Sequence, residues 1–315
     1  MAARIFVEAW DPEYGASLFP FDEDRVPSAS EIDPEIELKA AHWRPIRPER
    51  APGHAPRILF VDGVRRIDAM VWIEDSRGRV RAGLCGSYAA GTVAAEVRAE
   101  IGEVQVRRGL FTALPDAIDL VTDAGTYAVQ TARGETFAEF SAEVQERLRR
   151  LEVEVASAAG RFDLMVADGP LSAHHSSGLV IGYVKSHRVS YLDAALERVV
   201  HALAPGERTP LFRTRTSWSR YSAYLRLPGP QEGKSHPWAG IVRLEVSGDA
   251  PLEEARSLLN SASAALPLFS SVPHKDPRAP QNLFPIGGLE RELRRRLGDH
   301  ALVHRALRSA ASRTL

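Results

Sequence analysis

Residues 58–62 read ILFVD, an unbroken apolar run that stops at an acid, and Gly63 follows. A run of that length without alternation predicts a strand buried on both faces. The pattern returns at 163–168, DLMVAD, again closed by a glycine, Gly169. A third buried strand is predicted at 178–186, GLVIGYVKS. Between the first two, RIDAMVWIED and RVRAGLCGSYAA flank SRG, a good hairpin turn. VQVRRGLFTAL and IDLVTDAGTYAV add further strands, and PLFRTRTS, YSAYLRL and GIVRLEVSG three more.

Helical periodicity is clearest at about 135–159. Phe137, Phe140, Val144, Leu148, Leu151, Val155 and Ala158 recur at spacings of three and four and build one apolar stripe. YLDAALERVVHAL (191–203) and PLEEARSLLNSASAAL (251–266) are two more helices, the second with Pro251 suited to its first turn. From Leu289 the chain reads as an Arg-rich helix, broken near Gly298-Asp299 and resumed to the end. Residues 11–56 are rich in Pro, acid and Arg with few periodic apolar positions, and read as an extension wrapping the domain. Strands leading and helices between the later strands give a mixed α/β class. The division expected is an extension over 1–56, a domain over 57–290 and a helical tail over 291–315.

The bulk numbers narrow the chemistry. The chain has 315 residues, 44% hydrophobic, enough for a sizeable core. Its formal net charge is −1, so nucleic acid would have to be met by a local groove. Cys85 is the single cysteine, which excludes a disulfide framework or a cysteine-based zinc site within one chain. No apolar run approaches a membrane span, and the first residues lack the pattern of a signal peptide. A cytoplasmic protein is the expectation.

In α/β sheets, ligands sit beyond the carboxyl ends of strands. Asp62 and Asp168 are placed for such a site, and a glycine after each lets the backbone turn sharply or approach a ligand closely. Asp-Gly is also a common turn pair, and a strand must end somewhere. Two neighbouring carboxylates repel unless one takes a proton or a cation lies between them. Hard oxygen donors select Mg²⁺ or Mn²⁺ over zinc, and two such ions can drive phosphodiester cleavage. A third acid would come from the helix at 135–159. Glu152 and Glu154 lie on opposite flanks of its apolar stripe, each roughly 80° from the centre, so only one can face the site. Periodicity does not choose between them.

The order FVDG, helical Glu, VADGPL, IGYVKS and VRLEV resembles the NurA nuclease family over roughly residues 57–290. The resemblance implies an RNase H-like mixed sheet flanked by helices. It implies a nuclease using Mn²⁺ or Mg²⁺ on single-stranded DNA and on duplex ends. It also implies a homodimer working with a HerA-type hexameric ATPase in DNA end resection and repair. Asp62 matches the family's first metal-binding Asp and Asp168 the later one. Glu152 fits the family's spacing of the helical Glu slightly better than Glu154. Lys185, just past the third buried strand, is within reach of the same sheet end and could hold a phosphate.

The family's C-terminal Ala-His is missing. HKDPRAPQNLFPIGGLE stands there instead, with Gly287-Gly288 at about the expected place. His274, Asp276 and Asn282 are the candidate replacements, His274 first because imidazole is the family's chemistry. In GIVRLEV, Arg243 and Glu245 share one strand face amid apolar residues. They would form a structural ion pair, or Arg243 would contact phosphate. Arg215, Arg226 and Tyr224, near Arg213, Arg220, Trp218 and Tyr221, suit a single-strand groove, or the rings simply pack. His174-His175 is a loop pair with a weak metal reading. A rival from another class is an adaptor that grips DNA and docks on the ATPase without cutting, the Arg-rich tail serving as its arm. A nucleotide-binding domain is disfavoured, because VRRID is too bulky for a phosphate loop.

Overall fold

A computed structural model describes residues 4–7, 31–48, 56–75, 77–171, 178–185, 187, 191–215, 218–229 and 237–313. In chain order the strands and helices are β1 Arg4–Val7, β2 Glu31–Asp33, β3 Ile58–Glu74, β4 Val80–Ala95, β5 Ala99–Thr112, β6 Leu120–Thr122, β7 Gly125–Thr131 and α1 Phe137–Ala158. They continue with β8 Leu164–Asp168, β9 Val180–Val184, α2 Ala194–His201, β10 Phe212–Arg215, β11 Ser219–Arg226, β12 Ile241–Ser247, α3 Leu252–Ala265, α4 Phe284–Leu297 and α5 His300–Ser312. The strands form one mixed sheet in the order β2-β10-β11-β12-β9-β8-β3-β4-β5-β7-β6, with β1 also on β3. β3, β4 and β5 are antiparallel neighbours, while β8 and β9 run parallel to β3.

The first buried strand does not end at Asp62-Gly63, contrary to the sequence reading. β3 runs on for twelve residues past Asp62 to Glu74, held by β4 along its whole length. What ends there is its parallel partner. β8 pairs with β3 only from Ile58–Leu164 to Val61–Ala167, and β1 takes the same edge later, from Val71 to Glu74. A register shift between Ile67 and Ala69 marks a bulge at Asp68. It turns the odd-numbered positions to the other face. Ile67 packs beneath α1, whereas Ala69, Val71 and Ile73 pack with Val303 and Leu307 of α5.

Helices cover both faces. α1 lays Phe140, Val144, Leu148, Leu151 and Val155 on Leu59, Val61, Leu84 and Phe111. It starts with a capping box between Thr136 and Glu139, which satisfies two backbone donors left open at a helix start. On the opposite face α3 and α4 pack Leu259, Ala262, Ile286, Leu289 and Leu293 on Phe60, Val166, Ile181 and Val242. The last helices therefore begin at Phe284, earlier than the Leu289 expected. They form part of the body and do not project as an arm. Arg294, Arg295 and Arg296 face outward and pair with Glu290 and Glu292.

Part of the extension is built into the sheet. β2 pairs with β10, and Ile46 bridges to Arg208. Arg208, almost fully buried, donates to both Glu37 oxygens at 2.7 and 2.8 Å and to Asn260 at 2.8 Å. The rest of the extension, residues 1–3, 8–30 and 49–55, lies outside the described residues, as does His174-His175. Among the described residues no helix is long and apolar enough to cross a membrane.

Candidate active site

Asp62 and Asp168 are the next residues after the last β3–β8 pair, Val61–Ala167, so the two carboxylates stand on adjacent parallel strands at one level. By the alternation of strand side chains they share the face of Phe60 and Val166, the side covered by α4. The two glycines do different jobs. Gly169 adopts φ +99°, a conformation few other residues take, and turns the chain away after Asp168. Gly63 stays in the strand. A Cβ there would lie 2.5 Å from Glu152 Oε1. The bare backbone thus lets the Glu152 carboxylate lie against the strand one residue past Asp62.

Position in the fold separates the two helical acids that periodicity left open. Glu152 turns to β3, whereas Glu154, on the other flank of α1, is half exposed and ion-paired with Arg107 on β5. Lys185 follows β9 on the same face as Asp168. Its Nζ donates to Asp168 Oδ2 at 2.6 Å and to Asn282 Oδ1 at 3.0 Å. Asn282, fully buried, donates in turn to Asp276 Oδ2 at 2.7 Å. The turn carrying these residues is fastened to β9. Tyr183 donates its hydroxyl to the Gln281 carbonyl, and Gln281 donates its side-chain amide to the carbonyls of Lys185 and Ile241. Gly287, in the first turn of α4, leaves room for this pair; its Cβ would fall 3.1 Å from Asn282 Nδ2 and 3.2 Å from Asp276 Oδ2.

A further acid lies on the α4 side of Asp62, one that sequence reading missed. Leu289 of α4 packs against Gly91, the β4 partner of Asp62, and Glu290 comes next. Arg278 donates to Glu290 Oε1 at 3.1 Å and also contacts Asp276. Burial alone would raise the Glu290 carboxyl, but the hydrogen bonds and charge of Arg278 hold it below the usual carboxylate range. Its charge still reaches Asp62. Burial pushes the Asp62 carboxyl well above the usual range, and the charge of Asp168 pushes it further. Lys185 opposes this, while Glu152 and Glu290 add to it.

The remaining sequence candidates lie elsewhere. His274 is exposed in the turn before Asp276. Arg243 is buried and bonded to Glu245 through its Nε at 3.0 Å, the structural ion pair rather than an open phosphate contact. Glu245 also accepts from the Leu171 backbone and from Arg220. Tyr224 is 1% exposed, packed among Phe212, His187 and Trp238, so its ring has no open face for a base. Arg226 donates to the carbonyls of Ala239 and His201. Arg215 is exposed at the sheet edge and pairs with Glu31. None of these five joins the carboxylates.

The cluster fits a hard divalent cation by its chemistry. Its donors are carboxylate oxygens, and Asp168 Oδ1 is buried with no hydrogen-bond partner among the described residues. Among the described residues, however, no three acids, His or Cys stand close enough together to hold a metal ion. The cation seated on Asp168 is the Lys185 ammonium.

Acids gathered where two parallel strands of a mixed sheet part company, with helices on both faces, define an RNase H-like α/β protein. The family model described as NurA domain matches residues 57–286, most of the chain. The chain belongs to the NurA family, a nuclease family associated with DNA end processing. No curated protein matches it at a significant level.

Proposed function

We propose that the chain is a divalent-metal-dependent deoxyribonuclease, cutting single-stranded DNA internally and duplex DNA from its ends. The observation that carries this reading is the register that sets Asp62 and Asp168 side by side on adjacent parallel strands, where burial and the charge of Asp168 push the Asp62 carboxyl upward and favour a cation. Asp62 and Asp168 would hold Mn²⁺ or Mg²⁺, which when bound supplies an acidified water and positive charge for the phosphate; Glu152, on the α1 face of β3, would have to turn past Gly63 to join them. Lys185 moves from Asp168 to the phosphate as a point charge, with Asn282 orienting it. Glu290 and Asp276, through Arg278, hold the α4 side of the site in place. The family resemblance supports a homodimer, a HerA-type ATPase as partner and work in DNA repair, and a cytoplasmic setting is the expectation from the sequence.

One observation favours a second reading. Lys185 already neutralises Asp168, and the acids do not converge on one point. A chain locked in that state would be a weak or inactive DNA-binding adaptor of the ATPase. Purified protein incubated with end-labelled single-stranded DNA in Mn²⁺, Mg²⁺ or EDTA separates the two. Cleavage in metal, absent in EDTA and in Asp62→Ala, supports the nuclease. Folded protein that binds DNA and cuts in no metal, alone or with the ATPase, supports the adaptor.

A further inference from the structure

On the far flank of α1 from Glu152 lies an open groove of about 780 Å³, floored by β5 and β7. Arg107, Arg108, Arg147 and Arg150 line it, against one acid, Glu154. In a chain of net charge −1 this is a concentrated cationic surface. Some of its charge is already engaged. Arg108 is tied to the carbonyls of Ala124 and Leu297, and Arg107 to Glu154. Among the described residues Arg150 pairs with Glu146 on its own helix alone, and it is more than half exposed. Arg147 is the telling one: its Nε is buried with no hydrogen-bond partner among the described residues. A donor taken from water and left unmatched is costly unless a ligand completes it.

α1 separates the groove from the strand that carries Asp62. Gly63 pairs with Ala90 and Ala90 with Gln105, so β5 is two strand spacings, about 10 Å, from the strand of Asp62. α1 presents Glu152 to β3 on one side and Arg147, Arg150 and Glu154 to the groove on the other. The ring of Tyr88, buried at the groove floor, adds an apolar surface.

We infer that this groove is a phosphate track that holds a DNA strand running over α1, with Arg147 and Arg150 as its principal contacts. The inference rests on the nuclease reading for the identity of the polyanion as DNA. Guanidinium groups in a row bind phosphates without reading sequence, so the track would set register and grip rather than base preference. Glu154 holds Arg107 in the empty groove and would give it up to a phosphate.

The test is binding of a fluorescent single-stranded oligonucleotide followed by anisotropy in EDTA, where nothing is cut. Wild type is compared with the double variant Arg147→Gln/Arg150→Gln and with Arg295→Gln/Arg296→Gln, which removes equal charge from the outer face of α4. The groove variant is expected to bind severalfold more weakly. The slope of log affinity against log salt should fall by about one to two, while the α4 variant stays near wild type. Wild-type affinity and slope in the groove variant would overturn the track and leave the nuclease reading standing. An equal loss in both variants would overturn it too, as a mere effect of net charge. Weaker binding by the groove variant, with no cleavage by wild type in any metal, would support the track and count against the nuclease.

Discussion

The carboxylate of Glu152 occupies the space that any side chain on Gly63 would need. A Cβ at residue 63 would stand 2.5 Å from Glu152 Oε1 and 2.6 Å from Leu148 Cδ1. Gly63→Ala is therefore expected to overpack the α1–β3 contact, at about 1–3 kcal/mol, and to drive Glu152 off the strand. Urea denaturation should show the modest loss of stability. Cleavage should fall far more than the folded fraction does. A variant that is destabilised but cuts at the wild-type rate would show that Glu152 is not needed at that place.

The raised Asp62 carboxyl makes a prediction about pH in metal-free protein. Between the usual carboxylate range and its raised value, the folded state holds a proton that the unfolded state has lost. Stability contributed by this group then falls as pH rises through that window, and the penalty vanishes below it, where both states are protonated. Asp62→Asn removes the penalty. In EDTA its melting temperature should exceed wild type at neutral pH, and the gap should close on acidification. A gap that does not change with pH would show that Asp62 is not held protonated.

Lys185 is the internal counter-ion of Asp168, and both keep some contact with solvent. Lys185→Met is expected to destabilise the metal-free protein by about 1–3 kcal/mol, toward the lower figure because the pair is partly exposed. Mn²⁺ should restore more stability to this variant than it adds to wild type, since the ion no longer competes with the ammonium. Thermal melts with and without Mn²⁺ check this. Equal stabilisation of both proteins would remove Lys185 from the site's charge balance.

Arg208 fastens residues 31–48 to the body through a bidentate bond to Glu37 deep in the protein. Glu37→Ala leaves a buried guanidinium without its acid and is expected to cost about 3–5 kcal/mol. Chemical denaturation measures it. A loss below 1 kcal/mol would mean that the segment contributes little to the fold.

The sheet was largely legible in the chain because its central strands are apolar runs bounded by turn residues. Its pairing was not. Asp62-Gly63 looks locally like a turn, yet β4 carries β3 straight through it, and only the partner on the other edge stops. The choice between Glu152 and Glu154 needed that register, since it is the bare Gly63 backbone that receives Glu152. Glu290 was hidden in ERELRRR, which reads as a solvated helix face; Leu289 packing on Gly91 is what brings it inward. Among His274, Asp276 and Asn282, spacing gave no order. The fold puts Asn282 on Lys185, Asp276 behind it and His274 outside. Arg243 and Tyr224 read more readily as core than as contacts, and burial places them in the core.

The central claim is that Asp62 and Asp168 form one site for a divalent cation. Calorimetric titration of Mn²⁺ into wild type, Asp62→Asn and Asp168→Asn tests it without reference to cleavage. Saturable binding by wild type, lost or strongly weakened in both variants while their folds persist, is the expected result. Binding that survives in both variants, or no binding by folded wild type, would contradict it.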